Sequence, residues 1–244
     1  MSDRNGVVVV TGSAGGIGQA ITDAIENGGQ QVIGLDRAGI RPGTADRQID
    51  LSDLTSLAVL AAELASEYAI CGLVHNAAVQ PIGGVGETSV AEWLEALKVN
   101  VLVVEVLTAA FRGRLAEVHG AVAVVSSVHA RATTGGVTAY ATTKAALEGW
   151  VRSAALDLGP GIRVNAIDPG AVDTPKLREG FERWGSDVAR ERQAILRDRT
   201  PLSRIATASE IADIVRFLIG PESAFMTGSV LTADGGATAR LGSE

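Results

Sequence analysis

Cysteine is nearly absent from this sequence: Cys71 is the only one in 244 residues, so no disulfide can form within the chain. It lies in an apolar run, where it is predicted to be a small core residue and not a nucleophile. The four-valine run near the start is too short to cross a bilayer, and the residues before it do not form a signal peptide. We therefore expect a cytoplasmic protein without membrane contact.

Positive charge is also scarce. Lysine and arginine number 21 against 28 aspartates and glutamates, which gives a net charge of −7, and no basic run occurs. The charge pattern therefore argues against nucleic acid as a partner. Only three of the cations are lysines, Lys98, Lys144 and Lys176, so a lysine inside a motif carries more weight than usual.

Apolar residues and glycine are abundant, at 46% of the chain and 29 residues. This composition is ample for a large core and typical of a sheet covered by closely packed helices. Strand and helix patterns alternate, which predicts an α/β fold in a single domain, residues 1–244, with a seven-stranded parallel sheet and helices on both faces. The predicted strands are residues 7–10, 31–36, 48–51, 71–75, 120–126, 162–167 and 229–232.

The predicted helices include a long one at 90–117, bent near Asn100, and another at 138–158. Ser52 or Asp53 is expected to cap the helix that ends near Tyr68, and Thr207 or Ser209 the last helix. Residues 174–200 have a different texture, because charges crowd together and apolar residues are sparse. This segment is predicted to be a mobile helical lid over the substrate.

A glycine-rich turn follows the first strand and leads into an amphipathic helix. Residues 11–18 read Thr-Gly-Ser-Ala-Gly-Gly-Ile-Gly. Glycines let a ligand approach the backbone, and the free N–H groups at a helix start suit a pyrophosphate. The alternative is a glycine-rich turn that binds nothing.

Asp36 ends the second predicted strand, 18 residues after Gly18. A carboxylate at about this offset meets the adenosine ribose hydroxyls in dinucleotide-binding folds. It would repel a 2′-phosphate, which favours NAD over NADP. Arg37 leaves NADP open, since a guanidinium group accepts phosphate. A strand-end aspartate that only faces solvent is the third interpretation.

Tyr140 and Lys144 are four residues apart in a predicted helix, so their side chains lie on one face. A phenol ordinarily has a pKa near ~10, and a neighbouring ammonium group favours the phenolate. We therefore expect a lowered pKa for Tyr140, which would let it exchange a proton near neutral pH. The alternative for an isolated pair of this kind is a solvated helix face.

Together these motifs resemble the short-chain dehydrogenase/reductase family in its single-domain form, over nearly the whole chain. The resemblance implies a Rossmann-type, doubly wound fold. Its motifs are the glycine turn at 11–18, Asn100, Ser127 placed 13 positions before Tyr140, the Tyr140–Lys144 pair, and Pro-Gly-x-x-x-Thr at 169–174. Departures are His75 and Ala78, where the family's Asn-Asn-Ala-Gly reads His-Asn-Ala-Ala, and Thr143 in place of a serine.

The resemblance implies four catalytic residues. Tyr140 would be the acid/base, and Lys144 would stabilise its phenolate and bind the nicotinamide ribose. Ser127 would hold the substrate oxygen, and Asn100 a water that connects Lys144 to solvent. The expected cofactor contacts are Gly12, Ser13, Gly16, Ile17, Gly18, Asp36, Arg37, Asp50, Leu51, Asn76, Ala77, Tyr140, Lys144, Pro169, Gly170, Val172 and Thr174. No metal is expected.

Candidate substrate contacts are Gln80, His129 and Trp184. His129 and Arg131 follow Ser127, and they would either recognise a polar or anionic substrate or belong to a solvated loop, which is slightly favoured. Trp184 would either cover the substrate or pack the lid down.

The expected function is interconversion of a secondary alcohol and a ketone, or a similar carbonyl, by hydride transfer with NAD(H). One alternative is an NADPH-dependent carbonyl reductase. A second, of another class, is a dinucleotide-binding regulator without catalysis, which the presence of Ser127, Tyr140 and Lys144 disfavours. The expected partners are a small organic substrate and further copies of the chain, as a tetramer or dimer.

Overall fold

A seven-stranded, fully parallel sheet forms the centre of the molecule. The computed structural model describes residues 6–182 and 186–240. The strands are β1 Val7–Thr11, β2 Gln31–Asp36, β3 Arg47–Gln48, β4 Ile70–His75, β5 Ala121–Val125, β6 Arg163–Pro169, β7 Val172–Asp173, β8 Ala206–Thr207 and β9 Val230–Ala233. The large sheet has the order β3-β2-β1-β4-β5-β6-β9, and β7 pairs with β8 in a small separate sheet. The predicted seven-stranded parallel sheet is confirmed.

The third strand is shorter than predicted. The sequence predicts residues 48–51, whereas β3 covers only Arg47–Gln48, paired with the end of β2. The strand ends because Asp50 accepts a hydrogen bond from the N–H of Ser52 at 2.9 Å, which turns the chain towards the next helix. The pairing of β7 with β8 was not predicted from the sequence.

Eight α-helices are described around the sheet. They are α1 Gly16–Asn27, α2 Leu54–Glu67, α3 Val90–Leu97, α4 Val103–Glu117, α5 Thr138–Leu158, α6 Pro175–Glu182, α7 Ser186–Arg199 and α8 Ala208–Ile219. A π-helical turn, Lys98–Leu102, joins α3 to α4 at the predicted bend. Two cap candidates were predicted for each of two helices. The side chain of Asp53 caps α2, and that of Thr207 caps α8.

The helices cover both faces of the sheet, as predicted. Alternate residues of β1 point to opposite sides, with Val9 in one apolar cluster and Val8 in the other. The first cluster includes Phe111 of α4, and the second includes Ile21 of α1 and Val215 of α8. The strands are therefore buried on both sides, which explains their continuous apolar runs.

The charged segment 174–200 is helical where it is described, in α6 and α7. Its mobility stays a prediction. The short β7–β8 pair ties the start of this segment to the chain that leads into α8. None of the helices in the described ranges combines the length and the apolar character that a membrane span requires.

The start of α1 packs directly against the end of β1. A Cβ atom placed on Gly18 would overlap the carbonyl oxygen of Gly12 and lie 2.8 Å from Nδ2 of Asn76. At Gly15 the same addition would only approach the carbonyl oxygen of Gly12, at 3.4 Å. Gly18 is therefore the residue that lets helix and strand meet.

We expect Gly18→Ala to lower the free energy of unfolding by about 1–3 kcal/mol, the usual effect of overpacking. Gly15→Ala is the matched control, because Gly15 has φ −73° and ψ 161°, which alanine adopts freely. Urea unfolding of both variants measures the difference. Equal stabilities would contradict this packing.

Candidate active site

The predicted site residues gather at one edge of the sheet, beyond the carboxyl ends of its strands. Strand order reverses between β1 and β4, which are neighbours in the sheet. In doubly wound folds, ligands bind in the crevice that opens at this point. Thr11 and His75 end these two strands and are paired with each other in the sheet.

The glycine turn has the shape of an anion cradle. Gly12 has a φ of +67°, which favours glycine. The N-terminus of α1 has no side-chain cap on Gly15, so its first N–H groups are not used by a capping side chain. A diphosphate suits these donors and the positive end of the helix dipole. The turn therefore fits the pyrophosphate of a dinucleotide.

Asp36 lies beside this turn at the end of β2. Its Oδ2 accepts a hydrogen bond from the N–H of Ala14 at 3.0 Å, and its Oδ1 accepts one from the N–H of Ala38 at 2.9 Å. Each carboxylate oxygen can accept a further hydrogen bond. The backbone thus holds the carboxylate in place with capacity left for ribose hydroxyls, while the neighbouring Arg37 is exposed.

Asn76 and Ala77 come directly after β4 and contact the glycine turn. The amide nitrogen of Asn76 donates hydrogen bonds to the carbonyl oxygens of Thr11 and Gly12, at 3.2 and 3.1 Å. Ala77 is buried, and its Cα would lie 2.8 Å from a Cβ placed on Gly12. The side-chain amide of Asn76 therefore shapes the turn.

The Pro-Gly-x-x-x-Thr motif meets the glycine turn. A Cβ placed on Gly16 would lie 3.2 Å from the Cβ of Thr174, so these two segments touch. Pro169 ends β6, and Gly170 lies so close to Asp234 that an added Cβ would come within 2.9 Å of it. Val172 is buried at the start of β7. Two motifs that are distant in sequence thus line one crevice.

The remaining predicted cofactor residues are spread around this edge. Ser13 and Ile17 lie half-buried in and just after the turn. Asp50 is exposed and Leu51 is buried, both on the chain between β3 and α2.

Ser127, Tyr140 and Lys144 come together at the ends of β5 and α5. The Nζ atom of Lys144 lies 5.6 Å from the centroid of the Tyr140 ring and donates a hydrogen bond to the carbonyl oxygen of Val125 at 2.8 Å. Ser127 lies two residues after β5 and is buried. Its hydroxyl favours the phenolate form of Tyr140. The helix spacing and the strand end therefore place all three polar groups in one small volume.

The expected lowering of the Tyr140 pKa is wrong for this geometry. Burial raises the pKa of Tyr140, and the neighbouring Ser127 only partly opposes that shift. Burial also lowers the pKa of Lys144 to about 7, with a smaller contribution from the positive charge of Lys176. Lys144 is buried and Tyr140 is half-buried, and desolvation outweighs the attraction that the sequence suggested.

Asn100 is held by protein groups on every side. Its Oδ1 accepts from the N–H of Val79 at 2.8 Å, and its Nδ2 donates to the carbonyl oxygen of Val79 and to Oγ1 of Thr143, at 2.9 and 2.8 Å. Thr143 in turn donates to the carbonyl oxygen of Tyr140 at 2.8 Å. Asn100 thus fixes the first turns of α5, and only its main-chain carbonyl is left for the predicted water.

That carbonyl faces His75, the residue that departs from the family motif. The Nε2 atom of His75 lies 3.0 Å from the carbonyl oxygen of Asn100, and its Nδ1 lies 3.1 Å from Oγ1 of Thr11. A carbonyl only accepts, so Nε2 carries the proton and Nδ1 accepts from Thr11. Burial lowers the pKa of His75 to about 3, helped by the charge of Lys144. His75 is therefore a neutral link between the glycine turn and the helix that carries Asn100.

Of the three predicted substrate contacts, His129 lies beside Tyr140. Its ring packs edge-on against Tyr140, with centroids 5.7 Å apart and planes at 72°. Its Nδ1 lies 2.8 Å from Oγ1 of Thr133. Gln80 lies half-buried in the loop after β4, and Trp184 lies outside the described residues.

Sequence reasoning missed two acidic residues behind Tyr140 and Lys144. Glu148 is one helix turn beyond Lys144, and Asp168 is the penultimate residue of β6. A signal was present in both cases, since Glu148 shares the face of Tyr140 and Lys144, and Asp168 interrupts an apolar strand. Among the described residues, no group of three or more His, Cys, Asp or Glu side chains is placed to hold a metal ion.

Comparisons with known proteins find relatives that match nearly the whole chain. A family model described as enoyl-(acyl carrier protein) reductase matches residues 12–238. The 2-(S)-hydroxypropyl-CoM dehydrogenase 3 of Xanthobacter autotrophicus is 32% identical over 98% of this chain and 100% of its own length.

Solved structures of dehydrogenases have the same fold as this chain. Aldohexose dehydrogenase of Thermoplasma acidophilum is 30% identical, with a TM-score of 0.93 over 99% of this chain and 97% of its own. A putative NAD(P)-dependent gluconate 5-dehydrogenase of Beutenbergia cavernae, solved with NADP bound at low occupancy, is 30% identical, with a TM-score of 0.86 over 96% and 97%.

The buried His75 predicts a characteristic acid sensitivity. An unfolded histidine has a pKa near ~6.5, so below that pH the unfolded chain binds a proton that the folded chain refuses until about pH 3. Stability contributed by His75 is therefore complete above the unfolded pKa and is lost as pH falls. Between pH ~6 and ~4 we expect the free energy of unfolding of the wild type to fall more steeply than that of His75→Asn, by about 1.4 kcal/mol per pH unit.

Urea unfolding at several pH values measures both slopes. His119→Asn is the control, because His119 is exposed and has a φ of 49°, a conformation that asparagine tolerates. Its slope should match the wild type. A wild-type slope equal to that of His75→Asn would show that His75 is not buried in its neutral form.

Proposed function

The chain belongs to the short-chain dehydrogenase/reductase family of NAD(P)-dependent oxidoreductases, and on that premise we propose that it interconverts a secondary alcohol and a ketone, or a similar carbonyl, with NAD(H). The observation that carries the proposal is the buried ammonium group of Lys144, 5.6 Å from the centroid of the Tyr140 ring, with the buried Ser127 favouring the phenolate. Such an arrangement serves proton exchange with an oxygen atom.

The residues at the crevice fit a dinucleotide. The glycine turn and the start of α1 would hold its pyrophosphate, Asp36 would hold the adenosine ribose, and Thr174 would close over the turn beside Gly16. The nicotinamide, when bound, supplies hydride transfer. The chain itself must then handle the proton and hold the substrate oxygen.

Tyr140 is the proposed acid/base. In alcohol oxidation its phenolate would take the hydroxyl proton, and in carbonyl reduction its phenol would return it. Ser127 would donate a hydrogen bond to the substrate oxygen, where negative charge develops. Lys144 would stabilise the phenolate, because its ammonium group is buried with one carbonyl partner and acts through a medium of low polarity.

NAD is the proposed cofactor, with NADP as the alternative. The carboxylate of Asp36, held by two backbone N–H groups, would hydrogen-bond ribose hydroxyls and repel a 2′-phosphate. The exposed Arg37 and the NADP bound to the gluconate 5-dehydrogenase relative support the alternative. The charge at Asp36 decides between them in this proposal.

The proposed substrate is a small secondary alcohol with a second polar group. His129 supports this, because its polar ring lies edge-on against Tyr140. Exposed apolar side chains on and beside α3, among them Val90 and Leu94, support a homo-oligomer, either a tetramer or a dimer. The cytoplasm stays the predicted location.

Tyr140→Phe tests the acid/base role. It removes the proton-exchanging hydroxyl and keeps the ring, so kcat for alcohol oxidation should fall by about 10²-fold or more, the usual contribution of a general acid/base. Tyr68→Phe is the matched control, since Tyr68 is the only other tyrosine and lies at the end of α2. A panel of secondary alcohols and ketones, followed by nicotinamide absorbance, gives the rates. A Tyr140→Phe variant that binds cofactor and keeps its kcat would refute the assignment.

Asp36→Ala tests the cofactor preference. We expect the wild type to bind NADH more tightly than NADPH, and the variant to lose about tenfold or more of that preference, because a charge-assisted hydrogen bond to ribose is lost and the phosphate is no longer repelled. Fluorescence titration with both nucleotides measures the dissociation constants. Asp23→Ala, an exposed change on α1, should leave the ratio alone. An unchanged ratio in Asp36→Ala would rule out Asp36 as the selector.

A further inference from the structure

Two buried carboxyl groups lie behind the proposed catalytic residues. Glu148 projects from α5, one turn after Lys144, and Asp168 from the end of β6, with side chains only 8% and 1% exposed. The same atom of Arg131 faces both, since its Nε lies 3.0 Å from Oε1 of Glu148 and 3.9 Å from Oδ2 of Asp168. We refer to Glu148 and Asp168 as the carboxyl pair.

Arg131 satisfies only one member of the carboxyl pair. Its Nε and Nη2 donate to Glu148, with distances from 3.0 to 3.1 Å. Both oxygens of Asp168 are buried, and neither has a hydrogen-bond partner among the described residues. A carboxylate cannot stay ionised cheaply in such a place. Burial, together with the charge of Glu148, raises the pKa of Asp168 to about 7.

We propose that Asp168 carries a proton near neutral pH and acts as a positioning residue that sets the pH at which Tyr140 exchanges its own proton. This inference rests on the proposed function of Tyr140. While Asp168 is protonated, the carboxyl pair carries one negative charge, and Arg131 balances it. When Asp168 releases the proton to solvent, a second negative charge appears beside the catalytic residues.

That second charge acts on both members of the catalytic pair in one direction. Ionised Asp168 raises the pKa of Tyr140 and raises the pKa of Lys144. Either effect makes the Tyr140–Lys144 pair hold its protons to higher pH, so alcohol oxidation should need a higher pH to reach its plateau. Arg131 and Arg152 pair with the carboxyl groups, and His129 after β5 and Lys176 on α6 face the Tyr140–Lys144 pair.

Arg131 was predicted either to recognise a polar or anionic substrate or to belong to a solvated loop. The structure shows a third role, in the turn after β5. Its N–H donates to the carbonyl oxygen of Val128, so it closes the short turn that begins at Ser127. The ion pair with Glu148 therefore anchors the loop of Ser127 and His129 to α5. The Nε and Nη2 atoms of the guanidinium group are thereby used by Glu148.

The first experiment is the pH profile of kcat/KM for alcohol oxidation by Asp168→Asn, which keeps the side-chain shape and removes the charge. Below about pH 6 the variant and the wild type should superimpose, because Asp168 is then neutral in both. Above about pH 7 they should separate, and the variant should reach its plateau roughly one pH unit lower, the lower end of what a nearby charge does to a pKa. Asp157→Asn, an exposed change at the far end of α5, should follow the wild type throughout.

The second experiment reads the proton without using activity. Infrared difference spectra of the wild type should show the carbonyl band of a protonated carboxylic acid that disappears as pH rises through about 7. Asp168→Asn should lack the band, and Asp157→Asn should keep it. In Glu148→Gln, which serves if Asp168→Asn does not fold, the band should titrate at lower pH, because the neighbouring charge is gone.

Each outcome decides a separate point. If the wild type lacks the band at pH 6, the proposed protonation of Asp168 is overturned, whatever the activity. The band with superimposed rate profiles at every pH overturns its action on Tyr140. A band that behaves as expected, in a protein that oxidises no alcohol, supports the protonation of Asp168 and instead contradicts the proposed function.

Discussion

The burial of the Lys144 ammonium group is the constraint on which the site depends. The side chain is 2% exposed, and its Nζ has one hydrogen bond, to the carbonyl oxygen of Val125. A cation in such a place is close to losing its proton, and its pKa falls to about 7. The surrounding charges therefore have unusual influence, because small changes in them alter the protonation of Lys144 and Tyr140. A surface lysine would give its neighbours no such control.

A path of hydrogen bonds through buried groups connects the crevice to α5. Thr11 at the end of β1 donates to His75, His75 donates to the carbonyl of Asn100, and the side chain of Asn100 donates to Thr143. Thr143 then donates to the carbonyl of Tyr140. These bonds join the end of β1 to the first turn of α5. The histidine that departs from the family motif is the second member of this path.

Regular patterns made the fold and the shared helix face of Tyr140 and Lys144 predictable. The valines of β1 predicted a strand buried on both faces, and the four-residue spacing of Tyr140 and Lys144 placed both on one helix face. Predictions failed where the outcome depended on burial or on contacts between distant segments. The pKa of Tyr140 moved the opposite way because desolvation prevailed, and β3 ended early because of the turn at Asp50. The pairing of Arg131 with Glu148 joins a loop to a helix, and no local pattern encodes it.

The most direct test of the account is a crystal structure of the chain with NAD bound. The account predicts the pyrophosphate on the glycine turn and the nicotinamide ring beside Tyr140. The hydroxyls of Tyr140 and Ser127 should point to one position next to the nicotinamide C4 atom, with Nζ of Lys144 within hydrogen-bond distance of its ribose. A dinucleotide bound on another surface, or a nicotinamide ring turned away from Tyr140, would contradict the central claim.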